Sequence, residues 1–438
     1  MNAAALAAAR FGVGPRPGEV AAIAGDPRGW VAAQIAPPRP IAAPDLPTTA
    51  EAGRRTLAAR ATPGDPAAQR AAREALRNAY RADALAQLRA AIAATAPFAE
   101  RMAWFWTNHF TVSLQRPIVA ALVGPFAREA IRPRVFGRFA DLLVAATRHP
   151  AMLLYLDNAV SIGPGSPAGL RRARGLNENL AREILELHTL GVGNYGQDDV
   201  RQLALALTGW TIARAGDPDA GAYRFARLLH EPGPRTLLGQ RLAGDGEEEG
   251  VAALTALARH PATARHVATR LARHFAADDP PPALVDRLAR AYRDSDGDLA
   301  AVARSLATAP EPWATPLAKV RTPFELVVAA ERLVAPDRPP GRVLADLRRL
   351  GQLPHAAPSP QGWPDTASAW IGPEALLRRI EWAAGFAGAV GGARDVPALL
   401  EDGLGVLAGA ATRMAVRRAG SAEDALVLLL ASAEFQRR

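Results

Sequence analysis

The stretch from Gly175 to Val200, GLNENLAREILELHTLGVGNYGQDDV, decides the class of this chain. At 100° per residue, Leu176, Leu180, Ile184 and Leu187 fall on one arc, as an amphipathic helix requires. Glu178, Arg182 and Glu186 lie opposite at i, i+4 and i+8, the spacing of a solvated charge ladder. Glu183 instead falls among Leu176, Leu180, Leu187 and Leu190, and Asn177 and His188 share a third direction. A carboxylate on an apolar arc needs a cation or an N–H partner, or it marks a site. A helix is therefore predicted over 176–190, and a second over 198–208.

The same periodicity extends outward in both directions. Helices are predicted near 3–9 and 71–94, from Pro97 onward after a Thr95 cap, and near 118–131 and 137–147. After residue 239 they recur near 248–259, 262–276, 282–293, 298–308 and 323–335, and again near 374–386, 396–417 and 422–435. The clear β signal lies in 208–239, where Trp210-Thr-Ile, Tyr223-Arg-Phe and Thr236-Leu-Leu are β-favouring runs separated by Gly and Pro turns. The expected architecture is mainly α, one multi-helix domain over 1–438 with a small β ribbon at 208–239. Two segments rich in Pro read as irregular: an excursion at 37–66, and a loop at 336–373 preceding a C-terminal helical subdomain, 374–438.

Composition narrows the function classes. With 438 residues, 49% of them hydrophobic, the chain can bury a large core. The formal charge of +9 comes almost wholly from arginine, Lys319 being the sole lysine, and the arginines are dispersed. A nucleic-acid partner is therefore not expected. The absence of cysteine excludes disulfides, thiolate metal sites and cysteine nucleophiles. No window reads as a membrane span. The N-terminus lacks the basic start of a signal peptide, so the expected location is cytoplasmic, with export alongside a partner left open.

Four polar constellations stand out. The first is the helix of Asn177, Arg182, Glu183 and His188. The second is Arg101-Met-Ala-Trp-Phe-Trp-Thr-Asn-His-Phe110. There His109 shares the apolar arc and should be buried, while Asn108 and Arg101 flank Trp104 as a polar pair able to bind a carboxylate. The third is His230-Glu-Pro-Gly-Pro-Arg-Thr236, which predicts His230 and Arg235 at the tip of a turn. The fourth is the run from His260 to Phe275, where His266, Arg270 and His274 line up on a stripe. That stripe is expected to face solvent, or otherwise to bind an anion. A metal on the first helix would need ligands from other helices, because Glu178 and Glu186 stand about 12 Å apart along the axis.

Together these blocks resemble the domain of unknown function 1800 family of bacterial proteins. The matching pieces include Phe105-Trp-Thr-Asn-His-Phe110, His149-Pro-Ala-Met, Gly175-Leu-Asn-Glu-Asn-Leu-Ala-Arg-Glu183, Leu207-Thr-Gly-Trp210, His230-Glu-Pro-Gly233, His260-Pro-Ala-Thr263 and Gly362-Trp-Pro364. The family has no assigned activity. The resemblance implies a partner, since its members often accompany a second family, domain of unknown function 1501, which looks like the phosphatase and sulfatase superfamily. Gly165, Gly196 and Arg235 depart from the family pattern, Gly196 standing where a better helix-capping Thr is usual.

Two functions follow as expectations. The first is an accessory protein bound to that phosphatase- or sulfatase-like partner. The alternative is a hydrolase, with or without a divalent metal. In it Glu183, His188 and His109 would be catalytic, and Asn108, Asn177, Arg182, His230 and Arg235 would bind substrate.

Overall fold

A computed structural model describes residues 2–41, 43, 45–61, 65–171, 175–391 and 394–438. Helices account for 61% of it, so the mainly α class holds. The β content is two separate antiparallel pairs. β1 (Trp210–Ile212) pairs with β2 (Tyr223–Phe225) in the register Trp210↔Phe225, and β3 (Thr236–Leu237) pairs with β4 (Gln240–Arg241). Among the described residues, no helix is long and apolar enough to cross a membrane.

The apolar side chains form two clusters. The larger runs from Ala4 to Ala309 and is rich in aromatic rings, including Phe11, Phe98, Trp106 and Phe275. The smaller joins Val13 and the end of the long helix Pro66–Ala93 to the chain beyond Leu326. That long helix serves both clusters, giving Leu76 and Ala79 to one and Ala84, Leu88 and Ile92 to the other. Its start is set by Asp65, whose side chain accepts from the N–H groups of Ala67 and Ala68, with Pro66 in the first turn. The chain's last residues strap back across the smaller cluster, where Lys319 and Arg438 exchange backbone hydrogen bonds.

Two irregular segments are corrected. Within 37–66, Thr49–Arg60 is a helix; residues 42, 44 and 62–64 lie outside the described residues. Thr48 caps Glu51 N–H and the Glu51 carboxylate returns a bond to Thr48, a reciprocal cap that starts a helix without strong apolar periodicity. Within 336–373, Pro340–Arg349 is a helix burying Val343, Leu344 and Leu347. Prolines at its first turn start it rather than break it. The predicted helix 396–417 is instead two helices, Val396–Gly403 and Ala410–Arg418. At Gly196 the lost Thr cap is half replaced, since its N–H donates to Asp199 Oδ2 at 2.8 Å.

The signature helix also departs from its wheel. Asn179–Glu183 is α-helical, but Ile184–His188 is a π-turn. A π-turn takes an extra residue per turn and rotates every later side chain. Leu187, expected in the core, is half-buried, whereas Leu185 and His188 are buried.

Candidate functional site

The signature residues divide among three places. His109 and His188 do come together, with ring centroids 6.1 Å apart, and His266 lies 6.2 Å from His109. The His109 and His266 rings close the end of the signature helix, which leaves carbonyls without partners, whereas the His188 Nε2 is buried without a partner. His109 Nε2–H donates to the His188 carbonyl at 3.0 Å, and His266 Nε2–H donates to the Leu187 carbonyl at 3.0 Å. Thr189 and the N–H of Gly191 bond the carbonyls of Ile184 and Leu185. Burial holds these imidazoles neutral: His188 is pushed down to about 3 and His266 to about 4, in each case by burial first. His109 lies far below its usual range, through burial and then the nearby Arg270 charge.

Glu183 stands apart from them. It is half-buried and makes no hydrogen bond among the described residues. Its carboxyl is raised by burial and then by neighbouring Glu186, against Arg182. The expected ladder is partial. Arg182 bonds Glu178 at 3.4 Å and Gln197 at 2.9 Å, while Glu186 turns to the Tyr195 hydroxyl at 3.0 Å. Asn177 closes a local turn, its Oδ1 accepting from Asn179 N–H at 2.9 Å.

His230 and Arg235 are not at an exposed tip; both are buried. His230 Nδ1 donates to the Thr208 carbonyl at 2.8 Å. Its other nitrogen and the Arg235 Nε approach Glu249 at 3.6 and 3.5 Å. The turn is drawn inward because Arg235 also bonds the carbonyls of Glu231 and Gly233. Glu183, His188, His109 and His230 therefore do not share one set of partners. Among the described residues, no three His, Asp or Glu side chains are grouped to hold a metal ion.

What the motifs do build is a cleft of about 160 Å³ where the two apolar clusters meet. Its walls include Trp104, Phe105, Phe324 and Trp363, with Arg270, His274 and Asp365 among its polar lining. Asn108 shapes it without facing a ligand. Its amide donates to the Trp363 carbonyl at 2.9 Å and accepts from the Trp363 N–H at 2.8 Å. Gly362 sits directly against Asn108 with φ near 86°, and a Cβ there would lie 2.6 Å from the Asn108 carbonyl oxygen. This fit is why Gly362-Trp-Pro364 needs a glycine.

Behind the cleft is a buried charge layer. Glu325 pairs with Arg101 and with Arg438, the latter at 3.0 Å. Burial alone would raise the Glu325 carboxyl, but the Arg438 and Arg101 guanidinium groups hold it well below the usual range. Arg101 thus binds a carboxylate, as its place beside Trp104 suggested, though an internal one. Asp365 accepts from His274 Nδ1–H at 2.7 Å and lies 3.6 Å from Lys319. His274 Nε2 is buried without a partner.

The stripe of His266, Arg270 and His274 was expected to face solvent; it faces inward instead. The helix Pro261–Phe275 is covered on that side by the signature helix and by the loop carrying Asp365. The spacing revealed the stripe, but nothing local revealed its cover.

Two further motifs have a purely structural role that sequence reasoning missed. In His149-Pro-Ala and His260-Pro-Ala the histidine is a helix N-cap, its Nδ1 accepting from the alanine N–H at 3.1 Å in both. The repeated His-Pro-Ala itself was the available signal, since proline at the first turn marks a helix start.

No curated protein and no solved structure matches the chain. The family model described as "Protein of unknown function (DUF1800)" matches residues 6–437, and the chain belongs to that family.

Proposed function

We propose that this chain is an accessory protein, binding a phosphatase- or sulfatase-like partner of the domain of unknown function 1501 class and presenting the Trp363 cleft for recognition. One observation carries the proposal. Most of the motif side chains are committed to closing backbone and charge layers: Asn108 to Trp363, His109 to the His188 carbonyl, His230 to the Thr208 carbonyl and Arg101 to Glu325. Residues spent in this way support a binding surface better than a reaction centre. Tagged chain co-expressed with that partner should retain it through purification at both low and moderate salt. A partner that never co-purifies at either salt concentration sinks the proposal.

An acid–base hydrolase is the second reading, and one observation favours it. The His274–Asp365 pair orients an imidazole at the cleft with its Nε2 uncommitted. In this form the base is His274 rather than Glu183 or His188, and Asp365 holds its tautomer. The reading expects slow hydrolysis of small activated esters that falls at least tenfold in His274→Gln. Rates equal to those of buffer dismiss it.

A further inference from the structure

We propose that the cleft takes a monocarboxylate with a compact aromatic or branched apolar body, its carboxylate resting on Arg270. This deepens the binding reading above and rests on the cleft being the working site.

Arg270 sets the charge of the ligand. It lines the cleft and makes no hydrogen bond or ion pair among the described residues. A guanidinium carries five N–H donors, and enclosing it unpaired is costly. The neighbouring arginines do not share its condition. Arg101 and Arg438 divide Glu325 between them, and Arg438 also donates to the His274 carbonyl at 2.8 Å. Nor can the two carboxylates of the lining serve it fully. Glu325 is taken by those arginines, and Asp365 by His274 and Lys319. Arg270 is the cation left over, and it is turned toward the open space.

The walls define the rest of the ligand. Trp104 and Phe324 meet edge to face at 4.6 Å, with Phe105 and Trp363 completing an apolar enclosure. One bidentate guanidinium in such a small space matches a planar carboxylate. A dianion such as phosphate would be opposed by Asp365, which lies close enough to act on the Arg270 charge. Thr107 and Thr111 add hydroxyls to the lining, although each already donates to a backbone carbonyl, of Ala103 and Asn108. They therefore remain able to accept but not to donate, and the anion's donors are the Arg270 guanidinium and the Gln87 amide, whose Nε2 is buried without a partner.

A free acid and the C-terminus of a peptide present the same chemistry. Isothermal titration calorimetry of the full chain can separate them with four probes: phenylacetate, phenylacetamide, the peptide Ala-Ala-Phe, and that peptide's C-terminal amide. At least one acid should bind saturably, and its amide at least tenfold more weakly. Tighter binding of the peptide acid identifies a chain end as the ligand; tighter binding of phenylacetate identifies a free acid. Arg270→Gln should weaken the acid at least tenfold without lowering the melting temperature, and Arg270→Lys should restore part of the loss. Should Arg270→Gln fold poorly, the acid–amide comparison on the unaltered chain carries the test. No saturable heat from either acid, or equal affinity for acid and amide, overturns the inference. The titration needs no partner protein. Failed co-purification with successful titration therefore removes only the accessory role, and the reverse removes only this ligand class.

Discussion

Lowering the pH from 7 to 5 should strip most of the stability from this protein. Seven imidazoles are held below their ordinary value by burial, His230 and His274 among them, and in five the shift is large: His149 and His188 to about 3, His266 and His355 to about 4, and His109 well below its usual range. In the unfolded chain each titrates near 6.5. Below that value the unfolded state binds more protons than the folded one, so stability falls as the pH falls. Each of these five costs about 2 kcal/mol between pH 7 and 5. Asp83, Glu183 and Glu249, raised by burial, act in the opposite direction, and Glu331 does so most strongly. Burial raises its carboxyl to about 7, against Arg338, so the folded state takes up its proton first. That offsets about 2 kcal/mol over the same window. The net loss, on the order of 5–8 kcal/mol, is comparable to the whole stability of a typical domain.

The structural cause is specific. His149 can cap its helix only with a bare Nδ1, which protonation removes. Urea midpoints measured between pH 8 and 5 at fixed ionic strength should fall steeply below 6.5, and less steeply in His188→Gln. A midpoint flat from pH 7 to 5 would mean that these rings are not buried neutral.

The second large effect is expected from Glu325→Ala. The variant leaves Arg101 and Arg438 buried without their shared carboxylate, and breaking such a pair costs about 3–5 kcal/mol. Glu325→Gln should lose less, because it keeps an acceptor. The pH window separates this pair from the histidines. The Glu325 carboxyl is depressed, so its contribution is fully present above the unfolded value of about 4.3 and is lost only as the pH falls below it. Urea denaturation at pH 7 reads the mutational loss. A change below about 1 kcal/mol would place the charge layer outside the stability of the fold.

The helical class was legible because helical periodicity is local, and β1 to β3 were legible because their residues and turns are local too. The site was not, and the reasons are physical. The π-turn at Ile184–His188 moved Leu185 inward and Leu187 outward, which no uniform wheel foresees. Arg101 meets Glu325 across 224 positions, and Asn108 meets Trp363 across 255. Asp365 lies in a Pro-rich loop whose place is set by Asn108, and only that loop turns the stripe of Arg270 and His274 from surface to cleft wall. Glu183, the carboxylate on the apolar arc of its helix, is half-buried and makes no hydrogen bond among the described residues.

Affinity for the acid that binds best, phenylacetate or Ala-Ala-Phe, compared across Glu183→Gln, His188→Gln and Arg270→Gln, tests most directly whether the working site is the cleft rather than the signature helix. The expected result is a loss of at least tenfold in Arg270→Gln alone, with His188→Gln changing acid stability and Glu183→Gln changing neither. Unchanged affinity in Arg270→Gln, or a tenfold loss in Glu183→Gln at full stability, would contradict the account and return the site to the helix.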